Sequence, residues 1–142
     1  MALKIKELKT KKEMISSYDL VKQMYPKMSF EDYKEKLGEM IGFNNYKMVA
    51  AFLDGEMVGV TGYWVSFMLY CGRYIQASNL VVDRKKRSIG IGKEILSYLE
   101  KKGKKLGCEK LVLDSYTENK KSHSLYYREN FYIRGFHFMK NL

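Results

Sequence analysis

The sequence predicts an α+β domain of three layers, a sheet held between helices. Three observations carry that expectation. Residues 46–82 are apolar and β-branched runs separated by turn residues, the pattern of consecutive strands. The segments on both sides space their apolar residues at helical intervals, and a short apolar run follows each of the last two helical segments. The resulting order is β-α-α-β-β-β-α-β-α-β. The 142 residues suit a single domain over 1–142.

Each element has a local reason. Leu3–Leu8 alternates apolar and charged residues and reads as a strand. From Glu13 to Tyr25, Met14, Ile15, Tyr18, Leu20, Val21 and Met24 recur at helical spacing, and Pro26 ends the helix. Ser29 to Ile41 reads as a second helix, with Ser29 as its N-cap and Asp32 completing a capping-box pattern. Glu31 and Asp32 add negative charge to its first turn, where the helix dipole favours it. Two apolar runs then meet at Asp54-Gly55, a dipeptide that suits the positive φ angles of a two-residue hairpin. A second hairpin is expected around Cys71–Arg73, and the third strand of the set ends at Val82. Ile91, Ile95 and Leu99 mark the next helix, closed by Gly107. Lys110–Ser115 reads as a short buried strand and Asn119–Glu129 as a helix. "FYIRGFHFM", residues 131–139, reads as a last strand bent at Gly135.

Composition narrows the function classes. The chain is 46% apolar and 30% charged with one proline, which excludes disorder and low complexity. No apolar run approaches the roughly 20 residues of a membrane span, and the first residues lack a secretory apolar core. A cytoplasmic protein without membrane partners is expected. Cys71 and Cys108 are too few for a disulfide framework, and no metal is expected. The net charge of +10 is concentrated: Arg84 to Lys110 holds ten basic and three acidic residues. Such a field attracts polyphosphates or nucleic acid. The aromatic residues do not interleave with Lys101–Lys105, so nucleic acid ranks low.

The basic run Arg84–Arg87 leads directly into Ser88, Ile89, Gly90, Ile91, Gly92 and Lys93, where a strand gives way to a helix. Two familiar phosphate loops fail here. A P-loop needs Ser or Thr after Gly92-Lys93, and Glu94 stands there. A dinucleotide fingerprint needs a third glycine where Ile95 stands, after a parallel strand. The physics they share survives. Glycines let a ligand approach the backbone, and the first-turn N–H groups with the helix dipole form an anion site suited to a diphosphate.

Arg87-Ser88-Ile89-Gly90-Ile91-Gly92 resembles R/Q-x-x-G-x-G/A, the acetyl-CoA loop of the GNAT superfamily of N-acetyltransferases. Asn119, Ser122 and Tyr126 resemble that family's second motif, with Asn130 in place of the usual glycine before Phe131. The element order agrees along nearly the whole chain. The resemblance implies a mixed, mostly antiparallel sheet whose fourth and fifth strands splay apart, with acetyl-CoA as co-substrate. It implies that main-chain N–H groups from Ser88 to Lys93 hold the diphosphate. It also implies that pantetheine pairs along Leu80, Val81 and Val82, where a backbone N–H polarises the thioester carbonyl.

On the same resemblance, Tyr126 donates the proton that the departing thiolate needs, and Asn119 caps its helix, binds pantetheine, or both. The activity implied is acetyl transfer to a primary amine of a small molecule or peptide, by direct attack in a ternary complex. A homodimer is compatible with it. The general base stays open: "QASNLVV" has no acid near the end of the fourth strand, which leaves His123, Asp114, Glu118 or a water chain. That missing acid is the one support for an alternative, a catalytically silent acetyl-CoA-binding sensor. The acceptor site implied spans Met14 to Tyr46, a stretch rich in Met and Tyr, together with the turn between the third and fourth strands near Tyr70.

Overall fold

The structure is a computed structural model that describes residues 2–142. Its elements are β1 (Leu3–Glu7), α1 (Lys11–Ile15), α2 (Tyr18–Met24), α3 (Phe30–Gly42), β2 (Tyr46–Leu53), β3 (Glu56–Met68), β4 (Gly72–Val82), α4 (Ile91–Lys105), β5 (Lys110–Leu113) and α5 (Lys120–Arg128). The five strands form one sheet in the order β1-β2-β3-β4-β5. The first four pair antiparallel, and β5 joins β4 in parallel after the α4 crossover. The expected three-layer α+β class is what the chain adopts.

Two apolar layers hold the sheet. On one face Met48, Ala50, Val60 and Val81 pack against Met14, Leu20, Val21, Tyr33 and Leu37 from α1–α3. On the other, Val49, Tyr63, Ile75 and Ala77 pack around Leu99 of α4, and Ala51 and Val58 around Ile91 and Ile95. Leu99 is fully buried. Leu99→Ala is therefore expected to lower stability by about 2–5 kcal/mol, read as a lower urea midpoint with an unchanged slope.

The Asp54-Gly55 hairpin and the Ser29 cap stand as expected, but Asp32 does not return the capping-box bond, and the second hairpin turns at 69–71 rather than around Cys71–Arg73. Asp54 and Gly55 both have positive φ, at 51° and 83°. Ser29 caps α3, its hydroxyl accepting from Asp32 N at 3.1 Å. The first helix differs from expectation, because Glu13–Tyr25 is two helices rather than one. Thr10 and Glu13 form a capping box that starts α1 earlier, at Lys11. Ser16 and Ser17 then break the ladder by donating their hydroxyls to the carbonyls of Glu13 and Met14. Serine side chains compete with helical bonding in just this way.

The expected last strand does not form. Residues 131–142 have no regular structure, and beyond Phe131 N, which donates to Tyr126 O at 2.9 Å, none of them joins a backbone hydrogen bond among the described residues. The segment runs beside β5: the Arg134 guanidinium sits 5.9 Å from the Tyr70 ring centroid, and His137 Nδ1 lies 3.4 Å from Asp114 Oδ2. It adds no strand to the sheet. Strand propensity describes fit to a pleated, half-buried surface. A four-residue edge strand such as β5 offers little of it.

Candidate active site

The turn between β4 and α4 is fastened at both ends. Asp83 N donates to Val58 O at 2.8 Å, and Asp83 Oδ1 accepts from Lys85 N at 3.1 Å, starting a 3₁₀ turn over Arg84–Lys86. Gln23 of α2 clamps it from across the fold. Its amide donates to Asp83 Oδ1 at 3.3 Å and accepts from Arg84 N at 3.0 Å. Sequence reasoning missed both residues. Gln23 is an ordinary polar position on an amphipathic helix, and nothing local marks a partner 60 residues away.

The loop itself is conformationally unusual. Ser88 has φ 69° and Gly90 has φ 88°. A non-glycine residue in the left-handed region is uncommon and carries strain that its surroundings must maintain. Gly90 is the N-cap of α4, and a Cβ built on it would meet nothing within 4 Å. The first helical bond on this face is Glu94 N to Gly90 O at 3.1 Å. The N–H groups of Ile91, Gly92 and Lys93 therefore have no intrahelical acceptor, at the positive end of a 15-residue dipole.

Gly92 differs from Gly90. A Cβ there would stand 3.1 Å from Leu125 Cδ2 and 3.7 Å from Val82 Cγ2. Its role is close packing of α4 against α5 and β4. Arg87 Nε donates to Val82 O at 3.4 Å, and Ile89 and Ser88 are exposed.

Beside the loop, β4 loses its neighbour. The β4–β5 ladder ends at Ala77↔Leu113, whereas β4 continues to Val82. The outer edge of Ser78–Val82 thus has no strand partner. A bulge interrupts β4 at the same place: Val60 faces Val81 while Gly62 faces Ser78, leaving one extra residue on β4. Asn79, at φ 62°, sits in the bulge, and its amide donates to Tyr25 OH at 2.6 Å. Val81 turns into the α1–α3 layer, and Leu80 and Val82 pack on the α4 layer.

Helix α5 carries the second motif. Asn119 occupies the N-cap position, but its side chain makes no capping bond. Tyr126 is half-buried with its ring against Phe131, centroids 5.9 Å apart and nearly perpendicular. Burial pushes its hydroxyl above the usual tyrosine pKa, with the neighbouring Ser122 hydroxyl acting in the opposite direction. The hydroxyl therefore carries its proton at neutral pH. Asn130 takes φ 68°, the left-handed turn that a glycine would serve.

Each candidate base has a local partner. His123 Nε2 lies 2.9 Å from Tyr116 O, and a carbonyl only accepts, so that nitrogen carries hydrogen. Asp114 faces His137, and Glu118 accepts from Thr117 Oγ1 at 3.2 Å.

A cavity of about 360 Å³ opens between α2, α3 and the inner strands, reaching Asn79 and Gly62 at the bulge. Its walls are mainly Val21, Leu37, Met40, Met48 and Val60. Tyr25, Tyr33 and Tyr46 contribute aromatic faces, and Lys36 is its one charged residue. Residues of the expected acceptor stretch therefore line a real pocket.

The fold agrees with that of known proteins. The acetyltransferase (GNAT) family profile matches residues 14–131. The chain is 24% identical over 122 residues to an uncharacterized N-acetyltransferase, YhdJ, of Bacillus subtilis, with 86% of each chain covered. It is similar in structure to an aminoglycoside acetyltransferase from an uncultured soil metagenomic sample (TM-score 0.84, 21% identity, 99% of this chain and 96% of that one). It is also similar to ribosomal-protein-alanine N-acetyltransferase from Brucella melitensis (TM-score 0.83, 20% identity, 99% of both chains). The chain belongs to the acetyltransferase (GNAT) family and is an acetyl-CoA-dependent N-acetyltransferase.

Proposed function

We propose that the protein acetylates a primary amine of a small molecule or peptide by direct attack on acetyl-CoA in a ternary complex. The observation that carries this reading is the Gly90 cap: a left-handed residue with open space over it, at the start of α4 and beside the unpaired edge of β4. In this reading the N–H groups of Ser88–Lys93 receive the diphosphate, with Arg87 beside it. Pantetheine lies along Leu80–Val82, and a main-chain N–H there stabilises the developing oxyanion. Asn119, whose side chain is not spent on capping, is available to pantetheine. Tyr126 donates to the sulfur, the one catalytic side chain assigned. The domain spans residues 1–142 and works in the cytoplasm; no described helix is long and apolar enough to cross a membrane.

Release of free CoA thiol from acetyl-CoA, dependent on added amine, tests the proposal. A silent sensor, favoured by the missing acid at the end of β4, would bind acetyl-CoA without releasing thiol on any amine.

The reading includes a homodimer. The C-terminal segment exposes Tyr132, Ile133, Phe136, Phe138 and Met139, and Arg134 joins it to the equally exposed hairpin tip at Leu69 and Tyr70. Exposed apolar side chains grouped in one segment suit an interaction face, and a second copy presents the same face in return. Sedimentation at micromolar concentration is expected to give twice the 16.7 kDa chain mass. A species of single-chain mass overturns the dimer.

A further inference from the structure

We infer that the cavity selects its acceptor as the uncharged free base of an amine carried on an apolar or aromatic body, and that it disfavours polycationic amines. The inference rests on the transferase reading and specifies its substrate class.

The argument starts from what faces the cavity. The inner strands contribute Met48, Val60 and Asn79, and the helical side contributes Val21, Leu37 and Met40. Among the described residues, no carboxylate lines the cavity. The acidic residues of α3 lie elsewhere: Glu31, Glu35 and Glu39 are exposed, and Asp32 pairs with Lys36 at 3.1 Å. Asp32 lines the adjoining groove, which shares Tyr25, Met28 and Lys36 with the cavity, and there it is matched by Lys36. The hydroxyls of Tyr25 and Tyr33 are already engaged by Asn79 and Ser17, at 2.6 and 2.7 Å. Burial holds Tyr46 above its ordinary pKa, so it supplies no negative charge.

An ammonium entering this space would lose hydration without gaining an unpaired counter-charge, because Asp32 is already matched by Lys36. That favours the neutral amine. An aromatic or aliphatic body, in contrast, gains by burial against Met40, Met48 and Leu37.

This selection also accounts for the missing base. When a neutral amine attacks, the C–N bond forms and the C–S bond breaks. The sulfur keeps the electron pair and takes a proton from Tyr126, and the acetylated nitrogen gives up one proton, which restores the tyrosine through solvent. Free amine and thioester become amide and thiol with no net proton to remove. An ammonium substrate would need a base to export one proton, and none of His123, Asp114 and Glu118 lines the cavity.

The test uses wild-type protein with saturating acetyl-CoA and three probes: phenethylamine, spermidine and kanamycin. Phenethylamine is expected to exceed the other two at least about tenfold in kcat/KM at neutral pH. Its log(kcat/KM) is expected to rise by about one per pH unit from about pH 6 to 9, because an alkylamine of pKa near 10 gains free base tenfold per unit over that range. Preference for spermidine or kanamycin overturns the inference while leaving the transferase reading intact. So does a plateau beginning below about pH 8, the mark of a titrating enzyme base. Absence of thiol release with all three amines overturns the inference where acetyl-CoA still binds, and overturns the transferase reading as well where it does not. Met40→Glu supplies the missing counter-charge and is expected to shift relative kcat/KM toward spermidine by tenfold or more. Met40→Gln, the neutral control of equal shape, is expected to leave the preference unchanged. Equal preferences in the two variants, each folded by its thermal midpoint, overturn the role given to the cavity's lack of acid.

Discussion

Tyr126→Phe is expected to lower kcat by roughly 10²–10⁴-fold, the usual contribution of a positioned proton donor. That corresponds to about 3–5 kcal/mol of barrier. The substitution keeps the ring and its edge-on contact with Phe131, so the fold and the α5 position should survive. Acetyl-CoA affinity should change little, because the proposed contacts to phosphate and pantetheine are mainly main-chain. The pH dependence follows from the sign of the shift. The hydroxyl is held above the ordinary tyrosine value of 10.0, so it remains a donor throughout the neutral range, and its alkaline limb in kcat lies above pH 10. A tyrosine that only packed would behave otherwise. Its loss would cost at most about 0.5–1.5 kcal/mol of stability, the worth of one hydrogen bond, with near-normal turnover. Measuring kcat, affinity and thermal midpoint on one variant separates the two. A kcat within about threefold of wild type, with chemistry rate-limiting, removes Tyr126 from the mechanism; that margin is roughly 0.65 kcal/mol.

Legibility in the sequence followed the range of the forces involved. The Asp54-Gly55 turn, the Ser29 cap and the Gly90 helix start are local devices, and each stands where its residues predicted. The Asn130 turn was legible for the same reason: asparagine tolerates the left-handed region, and φ 68° is what it adopts. The break at Ser16–Ser17 was not, because apolar periodicity continues across it. Ser17 bonds both Met14 O and the Tyr33 hydroxyl, and the second partner lies on another helix. The last strand failed for a related reason. Residues 131–139 have strand composition, but a strand is made by its neighbour, and no neighbour pairs with them. In the site, the loop could be read from motif spacing. The Gln23 clamp and the Asn79 bulge depend on contacts 54 to 61 residues apart along the chain, and no spacing rule reaches them.

Gly90→Val is expected to abolish measurable acetyl-CoA binding while leaving the fold in place. Two effects act together. At φ 88° a β-branched residue is strained by about 1–3 kcal/mol, so the loop would move to relieve it and turn its N–H groups off target. The side chain would also project into the open space above the helix start, where a Cβ meets no protein atom within 4 Å. Because no protein atom is displaced, thermal stability should fall by no more than the strain. Gly90→Ala separates the two effects. It carries most of the strain and little of the bulk, so affinity between that of wild type and Gly90→Val would assign the remainder to occlusion. Gly92→Ala serves as a contrast of another kind. Its Cβ would press on Leu125 Cδ2 at 3.1 Å, the far end of a movable side chain, so a modest stability loss with near-normal affinity is expected. Isothermal calorimetry on the three variants reads these outcomes directly. A folded Gly90→Val protein that binds acetyl-CoA as tightly as wild type would show that the diphosphate lies elsewhere, and the α4 N-terminus would lose its assigned role.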